Sequence, residues 1–124
     1  MSYNGWKISD NHREWLLDMF PPKHPDVIAH HVTNNLTDMI PDAAKIRIIG
    51  YAANHGVECF IVEVNGNPIR PDGKIYHITW SIDRAQGFKP VHSNDLIKDG
   101  FTSINPIEID TIPFKVIDHM EYFQ

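Results

Sequence analysis

Apolar residues of β-forming type predict three consecutive strands in the middle of the chain. Residues 44–53, 57–64 and 74–82 are rich in β-branched and aromatic side chains, and turn-forming residues separate them. The segment 57–64 is the clearest strand in the sequence. Strands that follow one another through short turns typically pair side by side, so we expect an antiparallel meander.

The third of these strands alternates between apolar and polar residues. One face is predicted to carry Ile78, Trp80 and Ile82, and the other to carry His77, Thr79 and Ser81. This alternation is typical of a strand that packs on a core with one side only. We therefore expect the polar side to line a wet groove.

A helix is predicted as the first element of the chain. Ser9 or Asp10 can cap it, Pro21-Pro22 ends it, and its apolar stripe is predicted to be core. The stripe consists of Trp15, Leu16, Met19 and Phe20. A β-rich segment at 27–33 follows and is expected to end at Asn34-Asn35. A helical turn is predicted at 36–40.

The C-terminal third predicts a short helix near 93–97 and two further strands near 104–111 and 113–118. Runs of strands with few helices indicate an α+β fold. We expect a compact, mostly antiparallel sheet with one or two short helices, folded as a single domain over residues 1–124.

Composition narrows the class of protein. The chain has 124 residues, a net charge of −5 and one cysteine. Cys59 lies in an apolar strand and is predicted to be a small core residue in a reducing, cytoplasmic compartment. There is no apolar run of membrane-spanning length and no hydrophobic targeting segment at the N-terminus, so we expect neither a membrane partner nor secretion. The negative charge argues against a long nucleic-acid footprint but leaves room for a small phosphate ligand.

Two matching tripeptides contain the candidate residues for acid–base chemistry. His31-Val32-Thr33 and His77-Ile78-Thr79 both lie in predicted strands, where the first and third side chains share a face. The two strands are expected in different parts of one sheet. Two imidazoles facing one groove can take and give protons near neutral pH.

These motifs resemble the 2H phosphoesterase family, which is named for two H-x-[T/S] motifs. The segment around 76–96 is most similar to family members of the RNA-repair and cyclic phosphodiesterase type. Trp80 after the second threonine fits the family preference for an apolar residue, whereas Asn34 after the first does not. The resemblance implies two β-rich lobes related by a pseudo-twofold, each giving one motif to a central groove.

The resemblance also implies a mechanism. One of His31 and His77 would deprotonate water and the other would protonate the leaving ribose oxygen, while Thr33 and Thr79 donate hydrogen bonds to the phosphate. The expected substrate is a 2′,3′-cyclic phosphate at a short RNA end or a small cyclic nucleotide. No cofactor or metal is expected. Lys89 follows the second motif and is a candidate phosphate contact.

Several alternatives stay open. Each His–Thr pair can be structural, and the chain can be a non-catalytic module that binds nucleotides or RNA ends, or an assembly protein. His30 is predicted to face away from His31 as a packing residue. A metal site at His24, His30 and His31 is disfavoured, since zinc motifs and cysteine pairs are absent. The loop at 65–73, with Arg70, can cover the groove or be plain surface.

Overall fold

The computed structural model describes residues 1–124 and contains two α-helices and nine strands. The helices are α1 (Asp10–Met19) and α2 (His92–Lys98). The strands are β1 (Ser2–Ile8), β2 (Asp26–Val27), β3 (His31–Asn35), β4 (Ile46–Ala53), β5 (Val57–Val64), β6 (His77–Ile82), β7 (Thr102–Ile109), β8 (Thr111–Ile117) and β9 (Met120–Phe123). A turn of 3-10 helix spans Arg84–Gln86. Neither α-helix is long and apolar enough to cross a membrane.

The strands form two antiparallel sheets. The first has the order β3-β1-β8-β9, and the second has the order β2-β6-β5-β4-β7. The predicted class, α+β with mostly antiparallel strands and short helices, is confirmed. The meander of β4, β5 and β6 is also confirmed, because these three strands pair in sequence order.

The main hydrophobic core joins the two sheets. Trp6 and Val32 of the first sheet share it with Leu16 of α1 and with Phe60 and Trp80 of the second sheet. On the opposite face of the second sheet, α2 covers a smaller core built on β5. The second sheet is thus covered on both faces, which explains why β5 is apolar at nearly every position.

The prediction of a helix as the first element was wrong, because β1 precedes it. This strand lies in the middle of the first sheet, between β3 and β8. Its sequence gives little apolar signal, and Asn4 is buried there through hydrogen bonds to Asn35 and Thr37. Backbone pairing on both sides stabilises β1, and a hydrophobic pattern does not report such pairing.

The helix itself was predicted correctly, but its apolar stripe is only partly core. Leu16 is fully buried, whereas Trp15 and Met19 are 48% and 42% exposed. Trp15 stacks on His12 one turn earlier, at a ring separation of 4.9 Å. Leu17 and Phe20 are partly buried against the same core, so one face of α1 contacts the core while Trp15 and Met19 lie on its exposed side.

The predicted strand at 27–33 is two strands that belong to different sheets. β2 pairs with β6, whereas β3 pairs with β1. Ala29, between them, has a left-handed backbone with φ of 42°. The two motifs accordingly lie in different sheets, not in one. β3 also continues through Asn35, and no helical turn forms at 36–40.

Candidate active site

The two His–Thr motifs converge on one cleft between the sheets. β3 brings its motif from the edge of the first sheet, and β6 brings the other from the second. The cleft has a volume of about 300 Å³. We call it the His–Thr cleft, and its lining residues are Ile28, His31, Thr33, Leu36, Arg70, Lys74, His77, Thr79, Pro90, Val91 and Asn94.

His77 is oriented by the backbone just before its strand. Its Nδ1 lies 2.9 Å from the carbonyl oxygen of Ile75, so Nδ1–H donates and the lone pair of the neutral ring is on Nε2. Burial lowers the pKa of His77, the Ile75 hydrogen bond opposes this, and the cations Arg70 and Lys74 add to the lowering. The ring is therefore neutral at pH 7 in the free protein.

His31 is held by aromatic and polar neighbours. Its ring stacks on Tyr3 at 5.0 Å, and Nε2 lies 3.0 Å from Oγ1 of Thr33. Its Nδ1 lies 2.9 Å from Nδ1 of His30. Burial lowers the pKa of His31 to about 3, with smaller contributions from His30 and His77. His31 and His77 line the same cleft.

The prediction that His30 faces away from His31 was wrong. Strict alternation applies only within a strand, and β3 begins at His31. The left-handed backbone of Ala29 turns the chain just before it, and the two rings meet at 5.1 Å. His30 is therefore a polar neighbour of the cleft histidine and not a packing residue on the other face.

The threonines already have hydrogen-bond partners. Thr33 contacts His31, and Oγ1 of Thr79 lies 2.9 Å from Oγ of Ser93 and 3.3 Å from the carbonyl oxygen of Pro90. Ser93 is fully buried in α2. The helix thus fixes the rotamer of Thr79, and either hydroxyl must exchange a partner before it donates to a ligand.

The cations of the cleft are Arg70 and Lys74, and the structure does not bring Lys89 into it. Lys89 is exposed and is not among the lining residues. Arg70 is only 7% exposed, and its Nη2 lies 2.8 Å from Asp72. Its Nε is buried without a hydrogen-bond partner. The loop at 65–73 therefore contributes a buried charge to the cleft. Of the two alternatives for this loop, a cover of the groove or plain surface, the position of Arg70 agrees with the first.

Ser81 departs from the predicted polar face of β6. The register with β5 shifts between Glu58 and Cys59, which pair with Ser81 and Thr79. This irregularity turns the Ser81 side chain to the face opposite the cleft. There its hydroxyl donates a hydrogen bond to Glu58 at 2.7 Å. Glu58 is itself buried. Only His77 and Thr79 of the three polar residues remain on the cleft side.

Two other residues that the sequence singled out, His24 and Cys59, do not line the His–Thr cleft. Nε2 of His24 lies 2.9 Å from the carbonyl oxygen of Asn54, and no group of three or more His, Cys, Asp or Glu residues is placed to hold a metal ion. Cys59 is fully buried, and burial raises the pKa of its thiol to about 12. The prediction that it is a core residue is confirmed.

The cleft therefore combines two imidazoles, two hydroxyls and two cationic side chains, a set that suits a phosphate group and proton transfer to and from it. Asn94 of α2 lines the cleft as well and offers a further polar contact. No protein-family model matches this chain, and neither a search of curated proteins nor a search of solved structures returns a match.

Proposed function

We propose that this protein is a metal-independent phosphodiesterase of the 2H phosphoesterase type, acting on a 2′,3′-cyclic phosphate at a short RNA end or on a small cyclic nucleotide. In this proposal each sheet is one lobe of a pseudo-twofold pair. The observation that carries it is the shared cleft, in which His31, Thr33, His77 and Thr79 meet two cationic side chains. A cleft of about 300 Å³ suits one nucleotide.

The proposed reaction needs one base and one acid. A neutral histidine takes a proton from water while the water oxygen bonds to phosphorus. The bond between phosphorus and the leaving ribose oxygen breaks, and a protonated histidine gives its proton to that oxygen. The product is a phosphomonoester, and exchange of one proton with solvent restores both rings.

We assign the acid to His77 and the base to His31. The carbonyl of Ile75 accepts from Nδ1 of His77 and stabilises a protonated ring there. Burial, with smaller contributions from His30 and His77, lowers the pKa of His31 to about 3, so a proton on that ring is strongly disfavoured. A single proton shared by the pair therefore resides on His77, and an anionic substrate in the cleft favours its uptake.

Arg70 and Lys74 are the proposed anion contacts. Both side chains line the cleft, where a phosphate oxygen can accept a strong, charge-assisted hydrogen bond from the guanidinium or the ammonium group. Neutralising these two charges also removes their effect on His77, so that substrate binding itself raises the pKa of the acid. The overall charge of −5 is compatible with a small ligand held by such local contacts.

The test is hydrolysis of a nucleoside 2′,3′-cyclic phosphate and of a 3′,5′-cyclic nucleotide in the presence of a chelator. His31→Ala and His77→Ala should each lower the rate roughly a hundredfold to ten-thousandfold. The control is His119→Asn, at an exposed left-handed turn position that asparagine tolerates. Activity that survives the double His→Ala change, or that the chelator alone abolishes, refutes the proposal.

A non-catalytic binding module is the second candidate, and one observation favours it. Both nitrogens of His31 and both threonine hydroxyls are engaged within the protein, and both motif histidines are neutral at pH 7. A module of this kind binds a nucleoside 2′-phosphate or 3′-phosphate without turning over any cyclic substrate. Calorimetric titration of the same ligands, run beside the hydrolysis assay, separates the two functions.

A further inference from the structure

A chain of close polar contacts connects His31 to the last strand of the fold. Nδ1 of His31 lies 2.9 Å from Nδ1 of His30, and Nε2 of His30 lies 3.2 Å from Oε2 of Glu121 in β9. The other carboxylate oxygen, Oε1, lies 2.7 Å from Nζ of Lys7. His30, Glu121 and Lys7 are not among the residues that line the His–Thr cleft.

The direction of every hydrogen bond in this chain follows from the carboxylate. An ionised carboxylate only accepts, so Nε2–H of His30 donates to Glu121 and leaves the lone pair of His30 on Nδ1. Nδ1 of His31 must then carry the hydrogen in the contact between the two rings. The lone pair of His31 is consequently on Nε2, where it accepts from the hydroxyl of Thr33.

We propose that Glu121 and His30 are positioning residues that fix the neutral tautomer of His31, with the lone pair on Nε2 at the cleft. The catalytic consequence rests on the proposed function, because a general base needs its lone pair on the substrate side. The tautomer itself is a property of the free protein. Burial, Lys7 and Arg13 together lower the pKa of His30 more than Glu121 raises it, so His30 keeps the lone pair that the chain requires.

Glu121→Gln should reverse the whole chain. Lys7 needs an acceptor, so the carboxamide turns its oxygen to Lys7 and its NH₂ group to Nε2 of His30. His30 then carries its hydrogen on Nδ1 and donates to Nδ1 of His31, which moves the hydrogen of His31 to Nε2. Adding Lys7→Met to this variant frees the amide oxygen for His30 and should restore the original tautomers.

The experiment is ¹⁵N NMR of the imidazole nitrogens at neutral pH, which identifies the tautomer of each ring. We expect a hydrogen on Nδ1 of His31 in the wild type, on Nε2 in Glu121→Gln, and on Nδ1 again in the double variant. Glu108→Gln is the control, since Glu108 is exposed and pairs only with Lys45. The proposal is overturned by a wild-type hydrogen on Nε2, by an unchanged tautomer in Glu121→Gln, or by a double variant that stays reversed.

Kinetics of the same variants separate this proposal from the proposed function. With the base held in the wrong tautomer, kcat of Glu121→Gln on the cyclic phosphate should fall about tenfold or more, and the double variant should recover. A tautomer switch in a protein that hydrolyses none of the substrates leaves this inference standing and refutes the enzymatic activity. A full rate in Glu121→Gln despite the switched tautomer refutes the role given to His31 as base.

Discussion

Nε2 of His31 lies 3.0 Å from Oγ1 of Thr33, so the first histidine of the cleft and the threonine of the same motif are hydrogen-bonded to each other. The hydroxyl donates to the neutral ring and thereby favours its unprotonated form. Thr79 makes no such contact with His77, because Ser93 and the carbonyl of Pro90 are its partners. The two motifs are alike in sequence but not in hydrogen bonding.

This difference predicts distinct effects for the two threonines. Thr33→Val and Thr79→Val should each lower the rate, by about a hundredfold if the hydroxyl stabilises charge on phosphate in the transition state. Only Thr33→Val should also move the acid limb of the pH–rate profile to higher pH, since the neutral form of His31 loses a hydrogen bond. Profiles of both variants check this, and equal shifts would contradict the assigned contacts.

The assignment of the acid predicts a dependence on the leaving group. A nitrophenolate leaves without being protonated, so a nitrophenyl phosphodiester does not need the acid. His77→Ala should therefore lose much less activity on that ester than on a nucleoside cyclic phosphate, whereas His31→Ala should lose activity on both. Equal losses in the two variants across both substrates would reject the roles assigned here.

The cations of the cleft predict an effect on substrate affinity. Arg70→Met and Lys74→Met should raise KM about tenfold or more each, because a charge-assisted hydrogen bond to phosphate is worth about 1.5–3 kcal/mol. Lys89→Met, at the exposed lysine that the sequence suggested, should leave KM unchanged. Steady-state kinetics at low ionic strength make the comparison, and a larger effect at Lys89 would return that residue to the site.

The class of fold and the facing of both motifs into one cleft could be predicted because they depend on residue patterns within single segments. β5 is a nearly continuous run of apolar β-forming residues, α1 has apolar residues at helical spacing, and the predicted bounds of β5 agree with the structure. The two H-x-T tripeptides could be assigned to one site because each places a histidine and a threonine on the same face of its strand. Their meeting in one cleft, with Thr33 and Thr79 on the lining, agrees with the geometry expected from that order.

The sequence could not predict features that depend on distant pairing. β1 is stabilised by two neighbouring strands, and β9 only by β8, so neither has a strong pattern of its own. The left-handed turn at Ala29 and the irregularity before Ser81 each reverse an alternation that looked regular. The contact of Glu121 with His30 joins residues 91 positions apart, and only the assembled first sheet brings them together.

Stability should fall with acid more steeply than in a variant without His31. The folded pKa of His31 is about 3, below the ordinary value of 6.5, so the unfolded chain binds a proton that the folded protein does not. The contribution of neutral His31 to the free energy of unfolding is fully present above pH 6.5 and is lost as the pH falls toward 3. Between pH 7 and pH 5 the wild type should lose up to about 2 kcal/mol more than His31→Gln. Urea unfolding at both pH values measures this, and parallel losses would contradict it.

The last prediction concerns Gly5, which pairs with Thr33 across β1 and β3. A Cβ at this position would lie 2.0 Å from the backbone oxygen of Val32 and 3.1 Å from the backbone nitrogen of Asn34. Since backbone cannot yield as a side chain does, Gly5→Ala must push β3 away from β1 and with it the first motif. Overpacking of this kind costs about 1–3 kcal/mol.

The matched control is Gly50→Ala, in the second sheet. Its nearest neighbour would be the ring of Phe101, which is 42% exposed and free to move. Gly5→Ala should therefore lose both thermal stability and activity, whereas Gly50→Ala should lose less of each. The most informative measurement is kcat at a temperature where both variants are fully folded, because only a displaced Thr33 and His31 lower it there. A folded Gly5→Ala protein with the wild-type rate would show that the catalytic geometry does not depend on the spacing of β1 and β3.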